Sequence, residues 1–232
     1  GGYSQFSEGT DVSERDIDTY ATIISGDVNG NKQADAGGCG LLLVKKGIIG
    51  IEGVTFQYGY VSEADASTTE CGSGIYVSGS AGDTSVELTD CVIRDCKSTV
   101  TTSLKQGGAA VFILSGQVRL NNVKLLDNTS VGRGGAVRCN SKTAVALMNN
   151  SLLKGNSHSG SWGNGIQMSE GHICMNNTTI IENEGTGAAL NGAGSFLLVN
   201  STIVGNGSDS HGAVRCETGI GGDTKFINNL LI

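Results

Sequence analysis

Apolar residues recur along this chain in short alternating runs, separated by glycine-rich and asparagine-rich stretches. The stretch GGAVRCNSKTAVALMNNSLLKGN, residues 134–156, sets the pattern. It opens with a Gly-Gly-Ala turn and a short apolar strand. A second strand, an Asn-rich bend and a third apolar run follow, closed by Asn156. The order returns as GGAAVFILSGQVRLNNVKLLDN (107–128), GNGIQMSEGHICMNNTTIIEN (163–183), TGAALNGAGSFLLVNSTIVGN (186–206) and HGAVRCETGIGGDTKFINNLLI (211–232), with a divergent copy at 72–96. The first apolar residue after each glycine turn is read as Ile75, Ala110, Val137, Ile166, Ala188 and Val214. The closing position is read as Cys96, Asn128, Asn156, Asn183 and Asn206. Both series advance by 22 to 35 residues. Repeats of about 20 to 50 residues signal solenoids, propellers or arrays, and a four-stranded propeller blade needs about 40 or more. The shorter period predicts one coil of a parallel β-helix with three short strands.

Alternation supports strands. Two residues beyond the first landmark stand Val77, Phe112, Cys139, Met168, Leu190 and Cys216, expected on the inward face. Between them stand Tyr76, Val111, Arg138, Gln167, Ala189 and Arg215, expected to face water, because successive strand residues point to opposite sides. The third strand has its own inward column: Ile93, Leu125, Leu153, Ile180, Ile203 and Leu231. The divergent coil Leu41–Tyr58 is expected to turn Ile49, Ile51, Val54 and Phe56 inward. Two asparagine columns are expected at the corners. One is Asn128, Asn156, Asn183 and Asn206; the other is Asp90, Asn122, Asn150, Asn177 and Asn200. At a bend the backbone loses sheet partners, and an amide that both donates and accepts can replace them from coil to coil.

The Gly-Gly-Ala-Val opening and the aliphatic-x-x-Asn ending (Leu125–Asn128, Leu153–Asn156, Ile180–Asn183, Ile203–Asn206) resemble the repeats of polymorphic outer-membrane-type proteins. More broadly they resemble right-handed parallel β-helix proteins of the pectin-lyase-like fold. The stretches GGYSQ, Ser13–Asp16 and Ala21–Asp27 are similar to the opening of long bacterial secreted or surface β-helix proteins. The resemblance implies an all-β, right-handed, single-stranded parallel β-helix of roughly 7–8 coils, secreted or held at a bacterial cell surface in association with the outer membrane. We expect a single domain over 1–232: an irregular lead-in at 1–22, divergent coils with insertions at 23–71, and regular coils at 72–232. Further domains of a larger protein are expected beyond both ends.

Composition agrees with tight stacking: 37 Gly and no Pro. Glycine supplies positive-φ turns, whereas proline would delete ladder donors. The formal net charge of −7 disfavours nucleic acid as a partner. No stretch approaches about 18 apolar residues, so no membrane-spanning helix is expected. Seven cysteines invite a disulfide reading, but the repeat alignment places Cys139 and Cys216 inward in non-adjacent coils, and Cys91 and Cys96 beside non-cysteine neighbours. Only Cys39 and Cys71 remain as a candidate pair.

The loop Asp27-Val-Asn29-Gly-Asn31-Lys-Gln-Ala-Asp35 places oxygen side chains at positions 1, 3, 5 and 9, the ligand pattern of a calcium loop. Lys32 stands where glycine is expected, and Gly38 where the bidentate acid is expected, so the reading competes with that of a plain Asx-rich turn. Tyr76, Arg138, Gln167 and Arg215 form a candidate outward strip for an acidic polysaccharide or a host or cell-surface glycan, through arginine forks. Trp162, the single tryptophan, is a candidate for stacking on a sugar or for capping a corner. Ser210-His211-Gly212 resembles the short histidine motif of polygalacturonases, but the paired aspartates that glycoside hydrolysis needs do not accompany it. The leading expectation is a non-catalytic module for adhesion or carbohydrate recognition. The alternatives are a polysaccharide lyase or glycoside hydrolase acting on an acidic polysaccharide, and a structural stalk. The loops at 60–71, 97–106 and 157–162 are expected to flank a groove.

Overall fold

The structure is a computed structural model that describes residues 16, 19, 21–36, 40–63, 72–80, 82–101, 107–160, 162–207, 212–216 and 223–232. Among the described residues the strand pairings are parallel, and the strands stack in three sheets. The A face has eight strands, from Thr22–Ser25 through Lys124–Leu126 and Leu152–Lys154 in the middle coils to Leu230–Leu231. The B face has eleven. In the middle coils its strands are long: Val111–Asn121, Val137–Asn149 and Ile166–Asn176. Toward either end each splits in two, as in Ile75–Ser78 with Thr84–Thr89, or Leu190–Gly192 with Ser195–Val199. The C face is narrow: Tyr60–Val61, Lys97–Ser98, Thr129–Ser130 and Ser157–His158. The chain runs B, A, C and through a glycine turn into the next B strand.

The alternating runs form strands because their inward residues fill one continuous bore. Ile75, Val111, Val137, Ile166 and Leu190 stack in register on the B face, and Ile93, Leu125, Leu153, Ile180 and Ile203 stack on the A face. All ten are fully buried, each contributing about 1.5–3 kcal/mol of hydrophobic stabilisation. Phe56 is buried, with Ile49, Ile51 and Val54 packed against the same core.

Two alignments shift. Val111, not Ala110, aligns with Val137, and Leu190, not Ala188, aligns with Ile166. The doubled alanines Ala109-Ala110 and Ala188-Ala189 displace the strand start. A one-residue slip reverses the faces, so Phe112 lies on the outer side and Ile113 on the inner. The segments expected as loops also begin differently: Tyr60–Val61, Lys97–Ser98 and Ser157–His158 are strands of the C face.

The corner between A and C is closed by a buried amide ladder. Nδ2 of Asn156 donates to the Leu125 carbonyl at 2.9 Å and to Asn183 Oδ1 at 2.9 Å. Oδ1 of Asn156 accepts from the backbone N–H of Asn128 at 3.1 Å and from its Nδ2 at 2.9 Å. Asn128, Asn183 and Asn206 repeat the arrangement with their own neighbours. The corner between B and A carries the second column. Asp90, Asn122, Asn150, Asn177 and Asn200 all have φ between 49° and 54°, a left-handed turn that Asn and Asp tolerate. This column lies at the surface.

Candidate functional site

Three residues of the expected outward strip are not in water. Tyr76, Arg138 and Gln167 are 3 %, 1 % and 3 % exposed. They do point away from the bore, but Val61, Val100 and the turn glycines Gly108 and Gly134 pack over this column. The glycines of each turn lie directly on this column: a Cβ at Gly108 would come within 3.1 Å of Arg138 Cβ, and one at Gly134 within 3.1 Å of Gln167 Cβ. Val61 and Val100 pack with Tyr76 and Phe112 in a second small core. Within it Tyr76 and Phe112 lie 5.6 Å apart, the Arg138 guanidinium sits 5.5 Å from the Phe112 ring, and Arg138 Nη2 donates to Asn140 Oδ1 at 2.7 Å. The expected solvated strip is corrected to a covered layer.

The other two predicted residues come together. The Arg215 guanidinium lies 5.7 Å from the Trp162 ring centre, and that of Arg133 lies 4.8 Å from it. Sequence reasoning missed Arg133, because it precedes the turn Gly134-Gly135 in a stretch with no repeat signature. Stacked guanidinium groups occupy the indole, so Trp162 is an anchor for two cations. The Trp162 carbonyl is held by His158 Nε2. Burial pushes the His158 pKa down, against the opposing pull of its bond to Trp162, so the ring is neutral at pH 7.

The loop at 27–35 is a compact turn built on Asp27. Asp27 Oδ1 accepts from the N–H of Gly30 at 2.7 Å and of Asn29 at 3.2 Å, and Oδ2 accepts from Lys32 N–H at 2.8 Å. Asn29 Oδ1 accepts from Asn31 N–H at 2.9 Å, and Asn31 Nδ2 donates to Asp35 Oδ1 at 2.9 Å. Desolvation raises the Asp27 pKa, but the donors of Lys32, Gly30, Asn29 and Asn31 outweigh it and hold the carboxyl below its usual range. The four predicted residues are therefore gathered, with both Asp27 oxygens engaged by the loop's own backbone. Among the described residues no three His, Cys, Asp or Glu side chains converge as a metal site.

This turn forms one wall of a cleft of about 270 Å³. Lys32, Gln33 and Ala34 face Tyr58, Asp95, Cys96, Lys97, Asp127 and Thr129 across it. Tyr58, Asp95 and Asp127 occupy the same corner of successive coils, all left-handed at φ 60°, 54° and 53°. Gly155 continues the column at φ 67°, where a Cβ would overlap Asp127 Oδ1; glycine there leaves room for the carboxylate. Burial raises the Asp95 pKa, Arg94 lowers it, and Asp127 raises it further. Arg94 lies 3.9 Å from Asp95 and donates to Gln57 Oε1 at 2.7 Å. Burial pushes the Cys96 and Cys139 thiols up to about 12, so they are packing groups. Cys91, Cys96, Cys139, Cys174 and Cys216 are all free, and Cys216, on the inner side of an end strand, is exposed. Cys39, Cys71 and His211 lie outside the described residues.

Stacked parallel sheets joined by asparagine ladders define an all-β parallel β-helix solenoid. No family model matches the chain, and comparison with curated proteins and with solved structures finds no match. No described helix is long and apolar enough to cross a membrane.

Proposed function

We propose that this chain is a secreted or cell-surface β-helical module that recognises carbohydrate without transforming it, related in kind to bacterial polymorphic outer-membrane-type proteins of the pectin-lyase-like fold. The observation that carries the reading is the cleft between the 32–34 turn and the Asp95–Asp127 corner. Its lining mixes two carboxylates, two ammonium groups, a hydroxyl, an amide and a tyrosine. Carboxylates accept from sugar hydroxyls, lysines donate to ring and hydroxyl oxygens, and an aromatic ring face packs against the apolar C–H face of a sugar. At about 270 Å³ the cleft falls near the lower end of small-ligand sites, about 300–1,000 Å³, a size that suits a sugar unit of a longer chain.

The test is retention on a panel of immobilised neutral and acidic polysaccharides, followed by titration of the one retained. Lys97→Ala and Asp127→Asn are expected to weaken binding about tenfold, roughly 1.4 kcal/mol. Unchanged affinity in both variants, or no retention on any glycan, overturns the reading.

The raised Asp95 pKa favours a second reading, glycoside hydrolysis. Burial raises the Asp95 pKa, and Asp127 lines the same cleft; two carboxyls at one cleft are the kind of pair that acid–base cleavage of a glycosidic bond uses. Reducing-end release that disappears in both Asp95→Asn and Asp127→Asn would put this reading in place of the first.

A further inference from the structure

We propose that the outer side of the B face is a self-association surface. It holds a second copy of this chain, face to face and with the coil axes running in opposite directions. The inference is independent of the carbohydrate cleft, which lies at the corner between A and C.

The later halves of the B strands carry one column in register: Glu87, Arg119, Leu147, Cys174, Leu197 and Lys225. The residues on either side, such as Ala146 and Met148 or Phe196 and Leu198, are buried in the bore. Alternation therefore turns the column outward. Glu87, Arg119 and Lys225 are exposed, Leu197 is 36 % exposed, and Leu147 and Cys174 are half-buried. Val145 and Val199 flank this apolar centre on the same strands.

The order of charges selects the occupant. Sheets packed face to face lie about 10 Å apart. A second copy related by a two-fold axis along the stack sets Arg119 against Arg119 and Lys225 against Lys225, and like charges directly opposed are destabilising. A two-fold axis parallel to the strands reverses the stack instead. Placed between Leu147 and Cys174, it brings Leu147 of each copy to Cys174 of the other, lays the Arg119 stem on Leu197 and sets Glu87 against Lys225. Moved half a coil, onto Cys174, the axis sets Arg119 against Lys225. Among the registers that cover Leu147, Cys174 and Leu197, the first is the one that opposes unlike charges of the column. It does so twice, because an isologous interface repeats every contact. Beside the column it also faces Asn149 with Asn176, aligned on adjacent strands, and amides both donate and accept.

Size sets the strength. From Glu87 to Lys225 the patch extends about 24 Å along the stack and about 17 Å along the strands. The resulting area of about 400 Å² per copy is half of the about 800 Å² per partner in a standard interface. The dimer is weak and reversible.

Sedimentation equilibrium of the full chain at about 10 to 500 µM tests this, in about 0.15 M salt, where a Debye length of about 8 Å screens the net charge between copies. The expected result is a monomer–dimer equilibrium with a Kd on the order of 100 µM. Glu87→Lys and Lys225→Glu are each expected to weaken self-association about tenfold, because each variant opposes like charges twice. An equimolar mixture of the two is expected to dimerise as the wild type does, since both pairs are restored in the heterodimer. A folding defect does not produce that rescue. Leu147→Asp is expected to leave the chain monomeric with its circular dichroism spectrum unchanged. Four results overturn the assignment: a monomer at every concentration, a dimer indifferent to both charge reversals, a mixture no stronger than either variant alone, or growth beyond the dimer, which would mean end-to-end stacking. None of them bears on the cleft reading, which the glycan panel tests separately.

Discussion

Asn156 illustrates how much a single side chain carries when backbone groups lose their sheet partners. Its amide satisfies the Leu125 carbonyl and the Asn128 N–H, both inside the corner. Asn156→Ala leaves those groups without partners, each at about 1–3 kcal/mol, so we expect a total loss of about 3–5 kcal/mol in chemical denaturation. Asn150 is the control. It lies at the surface with φ 50° and accepts from Asn177 Nδ2 at 2.7 Å. Glycine adopts that φ freely, so Asn150→Gly is expected to cost within about 1 kcal/mol. Equal shifts in the two variants would show that the buried ladder has no special role. Both columns were readable from the sequence as recurring asparagines. Their difference was not, because periodicity marks a corner but does not tell whether its side chain turns into the bore or out of it.

At the scale of the strand and its turn, the neutral His158 ties the C face to the Trp162 carbonyl. Burial lowers its folded pKa below the ordinary 6.5, so the unfolded chain binds the proton first as pH falls. The stability it contributes is complete above 6.5 and declines below that value toward the folded pKa. The melting temperature is expected to drop between about pH 7 and pH 5 more steeply in the wild type than in His158→Gln, which can donate to the same carbonyl without titrating. Since Trp162 is the single tryptophan, its fluorescence should follow the same curve; parallel pH slopes in both proteins would exclude His158. The outward orientation of Arg138 and Gln167 followed from alternation. Their burial did not, because it depends on glycines one coil away: Gly108 on Arg138, Gly134 on Gln167 and Gly163 on Asn191. The turn glycines were plain in the pattern, but their role as a lid on the neighbouring coil is a long-range contact that no local spacing encodes. Trp162 and Arg215 were singled out separately; their meeting, and Arg133 as the third member, required the stacking register.

Across the whole molecule each coil touches only the coils beside it, so stability is distributed as in a one-dimensional array. The middle B strands Val111–Asn121, Val137–Asn149 and Ile166–Asn176 have partners on both sides. The end strands expose apolar side chains, with Ile23 at 50 % and Phe226 at 43 %. In this chain, amide hydrogen exchange is expected to be slowest in the three middle strands and to quicken toward Thr22–Ser25 and Lys225–Ile227. Uniform protection from end to end would instead mean that the coils unfold as one unit.

Stacking also makes distance along the axis discrete. Each coil adds about 4.8 Å, and the Asp127 cleft and the Trp162 cluster stand on different coils of one ladder. Duplicating or deleting a whole coil between them would move one site against the other by a single step and leave the chemistry of both unaltered. The solenoid is in that sense a ruler. A polymer held along the ladder, as proposed above, would be selected by whether its own repeat keeps phase with the count of coils, so a change of length alone would retune what is held.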